Sequence, residues 1–194
     1  MMGKLSKLTN KYFNLNDLNF DSFSQSKNWV GYFERKESFY YDYVERSVSH
    51  VIDYFQPDST LYITLSALSY DDEREQDLTV ISDYRDIYNK AKKRRLLHPL
   101  TEEYNSFLYG ESRLPVADII LGVNDKFTWD LCRLFMIHGG VLGEVLFIAF
   151  INHGVIVYPH KDTGFGVISM THELSHAKDF LKAVSLDEEF SVHM

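Results

Sequence analysis

Two apolar spacings alternate along this chain, one of three to four residues and one of two, and they divide it into helices and strands. From Ser38, placed as a helix cap, Tyr40, Val44, Val48, Val51, Ile52 and Phe55 recur every three or four residues and give one buried stripe. Gln56-Pro57-Asp58-Ser59 breaks that pattern, and Thr60 to Leu68 follows with the content of a strand. Asn28 to Arg35 has the same character. Val80, Tyr84, Ile87, Tyr88 and Ala91 return to helical spacing. His98-Pro99 is expected to close that helix, because the residue before proline is pushed out of helical geometry. Three more helices are expected: Thr101 to Tyr109, a segment opened by Pro115 and running through Ala117 to Val123, and Leu131 to Ile137 capped by Asp130.

The C-terminal third carries the clearest strand signal. Glu144 to Ile151 is mostly apolar, as in a central strand buried on both faces. Asn152-His153-Gly154 is a three-residue hairpin loop, Val155 to Tyr158 returns beside it, and Pro159 is expected to end the ladder. After the turn His160 to Gly164, Phe165 to Ser169 makes a third strand. Leu174, Ala177, Leu181 and Val184 then mark the packing face of a final helix. The expected fold is α+β: an antiparallel sheet that includes a C-terminal three-strand meander over about residues 144–169, with helices packed on it. A length of 194 residues suits one domain spanning 1–194, entered through an irregular, polar lead-in at about 1–27.

Charge and cysteine usage narrow the partner classes. A net charge of −8 disfavours nucleic acid, whose phosphates need a basic face, and suits a basic protein partner. The lone Cys132 cannot form an internal disulfide, so a reducing cytoplasm is expected. Nothing after Met1 has the shape of a signal peptide, and the longest apolar run, Val145 to Ile151, is too short to span a bilayer, so no membrane partner is expected. Asp71, Asp72, Glu73, Glu75 and Asp77 precede one expected helix and Lys90 to Arg95 follow it, the orientation favoured by the helix dipole.

One motif declares a chemistry. His172-Glu173-Leu174-Ser175-His176 matches the zinc-peptidase pattern H-E-x-x-H, in which two imidazoles on one helical face hold zinc and the glutamate serves as general base. Its surroundings do not complete it. Asp179 and Lys182 stand where the metzincin extension needs Gly and His, and the remaining candidate ligands, Glu188, Glu189 and His193, fall in a short C-terminal tail. Cys132 reads as core. His138, before Gly139-Gly140, reads as a helix-end residue complementing the dipole.

Several pieces of the chain resemble an uncharacterised bacterial family, domain of unknown function 3885. Tyr32-Phe33-Glu34, Glu45-Arg46 and Gln56 to Ile63 are similar to its first half. Gly143 to Ile148, Val155 to Tyr158 and Asp162 to Ile168 are similar to its second, though the Arg and the last Asp of its acidic Y-D-D-R-G-x-D-V-I segment are absent. The resemblance implies an immunity-type inhibitor, without catalysis or cofactor, that occludes a basic toxin domain. Its acidic contact residues are expected among Asp71, Asp72, Glu73, Glu75 and Asp162. The alternative is a zinc metallopeptidase with His172 and His176 as ligands and Glu173 as base.

Overall fold

Strand β5 (Val141–Phe150) lies in the interior of the sheet, and its side chains explain why. Leu146, Ile148 and Phe150 enter one core, while Phe147 and Ala149 enter a second on the opposite face. A strand apolar on both sides is stable only if both are covered. The structure, a computed structural model, describes residues 11–19, 22–37, 41–57, 62–71, 84–100, 120–123, 126–138 and 141–194.

Around β5 stand β1 (Trp29–Arg35), β2 (Tyr62–Tyr70), β3 (Leu97–Pro99), β4 (Ile120–Val123), β6 (Val155–His160), β7 (Gly164–Ser169) and β8 (Phe190–His193). Among the described residues they form one 8-stranded sheet in the order β3-β2-β5-β6-β7-β1-β8, with β4 also paired to β2. Every pairing is antiparallel except β2 with β3. β4 lies opposite Ile63 to Ser66 and β3 opposite Leu68 to Tyr70, so the two short strands share one side of β2 end to end. The mixed α+β class with a C-terminal antiparallel meander is therefore the observed one.

Helices α1 (Tyr41–Phe55), α2 (Arg85–Lys93), α3 (Phe127–Ile137) and α4 (Ser175–Val184) belong to the first core. The expected stripe holds where it is described: Val44, Val48, Val51 and Phe55 are fully buried and Ile52 is partly buried, while Tyr40 lies outside the described residues. Phe55 stacks on Phe150 with ring centres 4.2 Å apart, and Phe180 of α4 closes on Phe55 at 4.9 Å. The lead-in covers the second core. Its described part holds two short 3-10 turns, yet Phe13 and Leu18 are buried there, and Phe23 packs edge-on against Phe147 and Tyr158. Trp29 Nε1 donates to the Tyr158 hydroxyl at 2.9 Å beneath it. Each such buried side chain contributes about 1.5–3 kcal/mol.

Several expectations are corrected. α2 ends at Lys93, well before His98-Pro99. Arg95 adopts a left-handed φ of 57°, its N–H donates to the Lys92 carbonyl at 2.9 Å, and Leu96 N–H donates to the Ala91 carbonyl at 3.0 Å. This pair of hydrogen bonds, a Schellman end, satisfies two of the last carbonyls and releases Leu97 to Pro99 as β3. Ile120 to Val123 is a strand, because the side of β2 left open beside β3 recruits it into the ladder. Asp130 lies inside the first turn of α3 instead of capping it. Pro159 does not end β6: it lies beyond the Val155 to Val157 stretch that pairs with β5, and it stands opposite Phe165 in the ladder to β7, which continues to His160. The C-terminal tail is ordered as β8, paired to β1 from Tyr32 to Arg35. The helices expected at 101–109 and 117–119 lie outside the described residues.

Candidate binding cleft

The same end of the sheet holds the exit of β1, the start of α1 and the entry to β8. Arg35 faces Phe190 across the β1–β8 ladder, Lys36 N–H donates to the Glu189 carbonyl at 3.0 Å, and Lys36 Nζ donates to the Glu188 carbonyl at 2.7 Å. Between these segments opens a cleft of about 480 Å³ lined by Lys36, Glu37, Asp42, Tyr43, Arg46, Glu188 and Glu189.

Two α1 side chains one helical turn apart fix one wall. Arg46 Nη2 donates to both carboxylate oxygens of Asp187 at 2.7 Å, and Arg46 Nη1 pairs with Glu189. His50 Nε2 lies 2.9 Å from Asp187 Oδ2. Glu189 N–H donates to Asp187 Oδ1 at 3.1 Å, and the guanidinium lies over the Phe190 ring at 5.8 Å. Burial alone would raise the pKa of Asp187, but the Glu189 N–H, Arg46 and His50 outweigh it and hold the carboxyl below its usual range. Glu189 and Asp187 together push the already basic Arg46 higher still. Tyr43 is raised by burial, then by the Glu189 and Glu37 charges.

The cleft lining carries the carboxylates of Glu37, Asp42, Glu188 and Glu189 against the two cations Lys36 and Arg46, so its net charge is negative. Among the described residues the carboxylates of Glu37, Asp42 and Glu188 form no ion pair. Arg35 couples this cleft to the β6–β7 turn: its Nε donates to the Glu37 carbonyl at 3.1 Å and its Nη1 to Thr163 Oγ1 at 3.0 Å. Thr163 is fully buried with φ 60°, a conformation costly for a β-branched residue, and Ser47 Oγ donates to its carbonyl at 3.2 Å. The turn is thus held from two directions. On its tip Asp162 is 75% exposed. Behind it His160 Nε2 donates to the Phe33 carbonyl at 2.9 Å, and burial lowers this imidazole despite that bond and the nearby Asp162 and Glu34 charges.

Of the acidic residues expected at a contact surface, Asp162 therefore adjoins the cleft. Asp71 follows β2 at the same end of the sheet, with β5 lying between β2 and β6. Asp72, Glu73 and Glu75 lie outside the described residues. Glu37, Asp42, Glu188 and Glu189 were not among the expected contacts. Arg46 and His50 at i and i+4 on the polar side of α1 were the available signal, since such a pair shares one face.

The H-E-x-x-H segment is not on one helix. α4 begins at Ser175, so His172 and Glu173 lie in the turn before it and only His176 is helical; all three are exposed. Ser169 Oγ donates to the Glu173 carbonyl at 2.9 Å and Ser175 Oγ donates to Glu173 Oε1 at 3.1 Å, which shapes that turn. The His176 ring faces His153, with centres 6.2 Å apart, and His153 is lowered by burial and by His176. Among the described residues no group of three or more His, Cys, Asp or Glu is arranged to hold a metal ion. Cys132 is buried in α3, and burial raises its thiol well above the usual range. His138 does not complement the dipole by charge. It is buried against Tyr88, ring centres 4.3 Å apart, and is lowered to about 4 by burial and by Arg85 and Lys92, so it is neutral at pH 7.

No protein-family model matches the chain, and none of the curated proteins or solved structures matches it. Among the described residues no helix is long and apolar enough to cross a membrane.

Proposed function

We propose that this chain is a cytoplasmic binding protein that covers a basic surface of another protein with its acidic end, and that its partner is a toxin domain neutralised by occlusion. The observation that carries this proposal is the cleft at the β1–β8 end. Glu37, Asp42 and Glu188 present carboxylates around an opening large enough for a lysine or arginine side chain, while Arg46 is already neutralised within the wall. Charged groups held on ordered elements favour encounter with an oppositely charged partner and cost little to arrange on binding. The toxin assignment rests on the resemblance to the uncharacterised family described above.

The test is co-expression with the product of the adjoining reading frame. The native chain is expected to protect the host and to co-purify with that product, with retention weakening as ionic strength rises. The triple variant Glu37→Lys, Asp42→Lys, Glu188→Lys is expected to fold and to lose both effects. Retained protection by the triple variant would remove the cleft from the mechanism, and a partner with an acidic contact face would end the proposal.

A further inference from the structure

At the opposite end of the sheet from the cleft, the fold brings together two imidazoles that the sequence keeps apart. His153 ends the 3-10 turn joining β5 to β6, and His176 lies in the first turn of α4. Their ring centres are 6.2 Å apart at an interplanar angle of 61°. We propose that His153 and His176 form a two-histidine site for a borderline divalent transition cation such as zinc, with water completing its coordination.

Metal chemistry fits this spacing. Zinc binds imidazole nitrogen at about 2.0–2.1 Å, which puts each ring centre roughly 3 Å from the ion, so two rings on one ion span up to roughly 6 Å. A small rotation about the side-chain torsions brings this pair to that span, and both rings have solvent access for it. Their backbones are firmly placed. His153 sits edge-on to the fully buried Phe55 at 5.3 Å, and Gly154 beside it takes a left-handed φ of 63° that sets the turn. The Gly154 carbonyl accepts from Met170 N–H at 2.7 Å, tying the turn to the segment that leads into α4. α4 is anchored next to His176 by Ala177 and Phe180, both buried. A preorganised pair of ligands on separate elements gains affinity because little ordering is left to do.

This site differs from the one the H-E-x-x-H spacing suggests, since His172 lies in the turn before the helix and His153 takes its place opposite His176. The two are separated by titrating zinc chloride into the native chain and into His153→Ala, His153→Gln, His176→Ala and His172→Ala, following imidazole resonances and heat of binding together. The expected result is saturable binding of one zinc per chain that shifts the His153 and His176 rings. Affinity should fall by about tenfold or more in each His153 and His176 variant and stay within about twofold in His172→Ala. The metal-free variants are checked by circular dichroism, and the glutamine variant keeps a polar side chain at the turn in case alanine disturbs it. Absence of saturable binding to the native chain would overturn the site. So would loss of binding in His172→Ala with binding retained in the His153 variants, which would return the ion to the motif pair.

Discussion

Arg46 and Asp187 stand 141 positions apart in the chain, and the guanidinium of one donates to both carboxylate oxygens of the other at 2.7 Å. The pair pins α1 to the turn from which β8 departs, so it closes the edge of the sheet and builds one wall of the acidic cleft in a single contact. His50, a turn further along α1, reaches the same carboxylate. Glu45 does the corresponding work on another side of the helix, accepting from Arg133 Nε at 2.9 and 3.0 Å and from the Tyr84 hydroxyl at 2.9 Å. α1 is thus fastened by charge to α3, to the start of α2 and to the C-terminal turn, with its apolar stripe facing the sheet.

The Asp187 carboxyl carries an acid-sensitive share of stability. Its folded pKa lies below its unfolded one, so its contribution is present above about pH 4 and is lost as pH falls through the folded value. Asp187→Asn is expected to cost about 1 kcal/mol at pH 7, a figure held down by the solvent exposure of Arg46. The variant should lose less further stability than the native chain between pH 4 and pH 2. Parallel urea curves over that range check this, and identical acid limbs would show that Asp187 is not the group responsible.

His138 works in a different window. Because its folded value is lowered to about 4, the unfolded chain binds the extra proton between that point and the ordinary histidine range near 6.5. Stability contributed by the neutral buried ring is therefore complete above about pH 7 and declines as pH falls towards 4, by roughly 3 kcal/mol in all. In the imidazole region of the proton spectrum its ring is expected to stay neutral at pH 5.5. A midpoint near pH 6.5 would mean the ring is not buried against Tyr88 as described.

What the sequence makes legible follows from how local each signal is. β5, β6 and β7 are neighbours in the chain, and their apolar runs and short turns already state their pairing. The α1 stripe is equally local. The lead-in offered no periodicity, because Phe13 and Leu18 are isolated anchors in polar surroundings and find partners only once the second face of β5 and β6 exists. β8 was hidden for the same reason: Phe190-Ser191-Val192-His193 is too short to read as a strand until β1 supplies the other half of its ladder. Asp162 could be singled out because an acidic residue in a turn is exposed by default, whereas nothing in the chain says which carboxylate meets Arg46. The His172 and His176 spacing implies one helical face, and the turn from Met170 to Leu174 removes that premise.

The lead-in is expected to be a structural layer and not a dispensable tail. Leu18→Ala should destabilise the chain by about 2 kcal/mol, at the low end for a buried leucine because the site lies near the surface. Removing residues 1–24 should expose Phe147, Ile156, Tyr158 and Ile168, which a hydrophobic dye would report in the native baseline. The Trp29 indole, whose Nε1 donates to the Tyr158 hydroxyl beneath this layer, should gain solvent and emit further to the red in the same variant. A truncated chain with native stability and no dye binding would mean that this face is covered in some other way.

The end of α2 offers a gain in stability. Arg95 is exposed and occupies the left-handed position of a Schellman end, where a side chain with a Cβ costs about 1–2 kcal/mol relative to the right-handed region. Glycine removes that cost but loses more freedom on folding, about 0.5–1 kcal/mol. The difference favours Arg95→Gly by about 0.5–1 kcal/mol. Arg95→Ala retains the strain and is expected to gain nothing, which separates backbone conformation from loss of a positive charge near the basic C-terminal turn of α2. In urea the glycine variant should raise the midpoint while leaving the slope unchanged, since the surface exposed on unfolding is the same. A lowered midpoint for glycine, or an equal rise for alanine, would show that the arginine side chain and not its backbone angle governs this helix end.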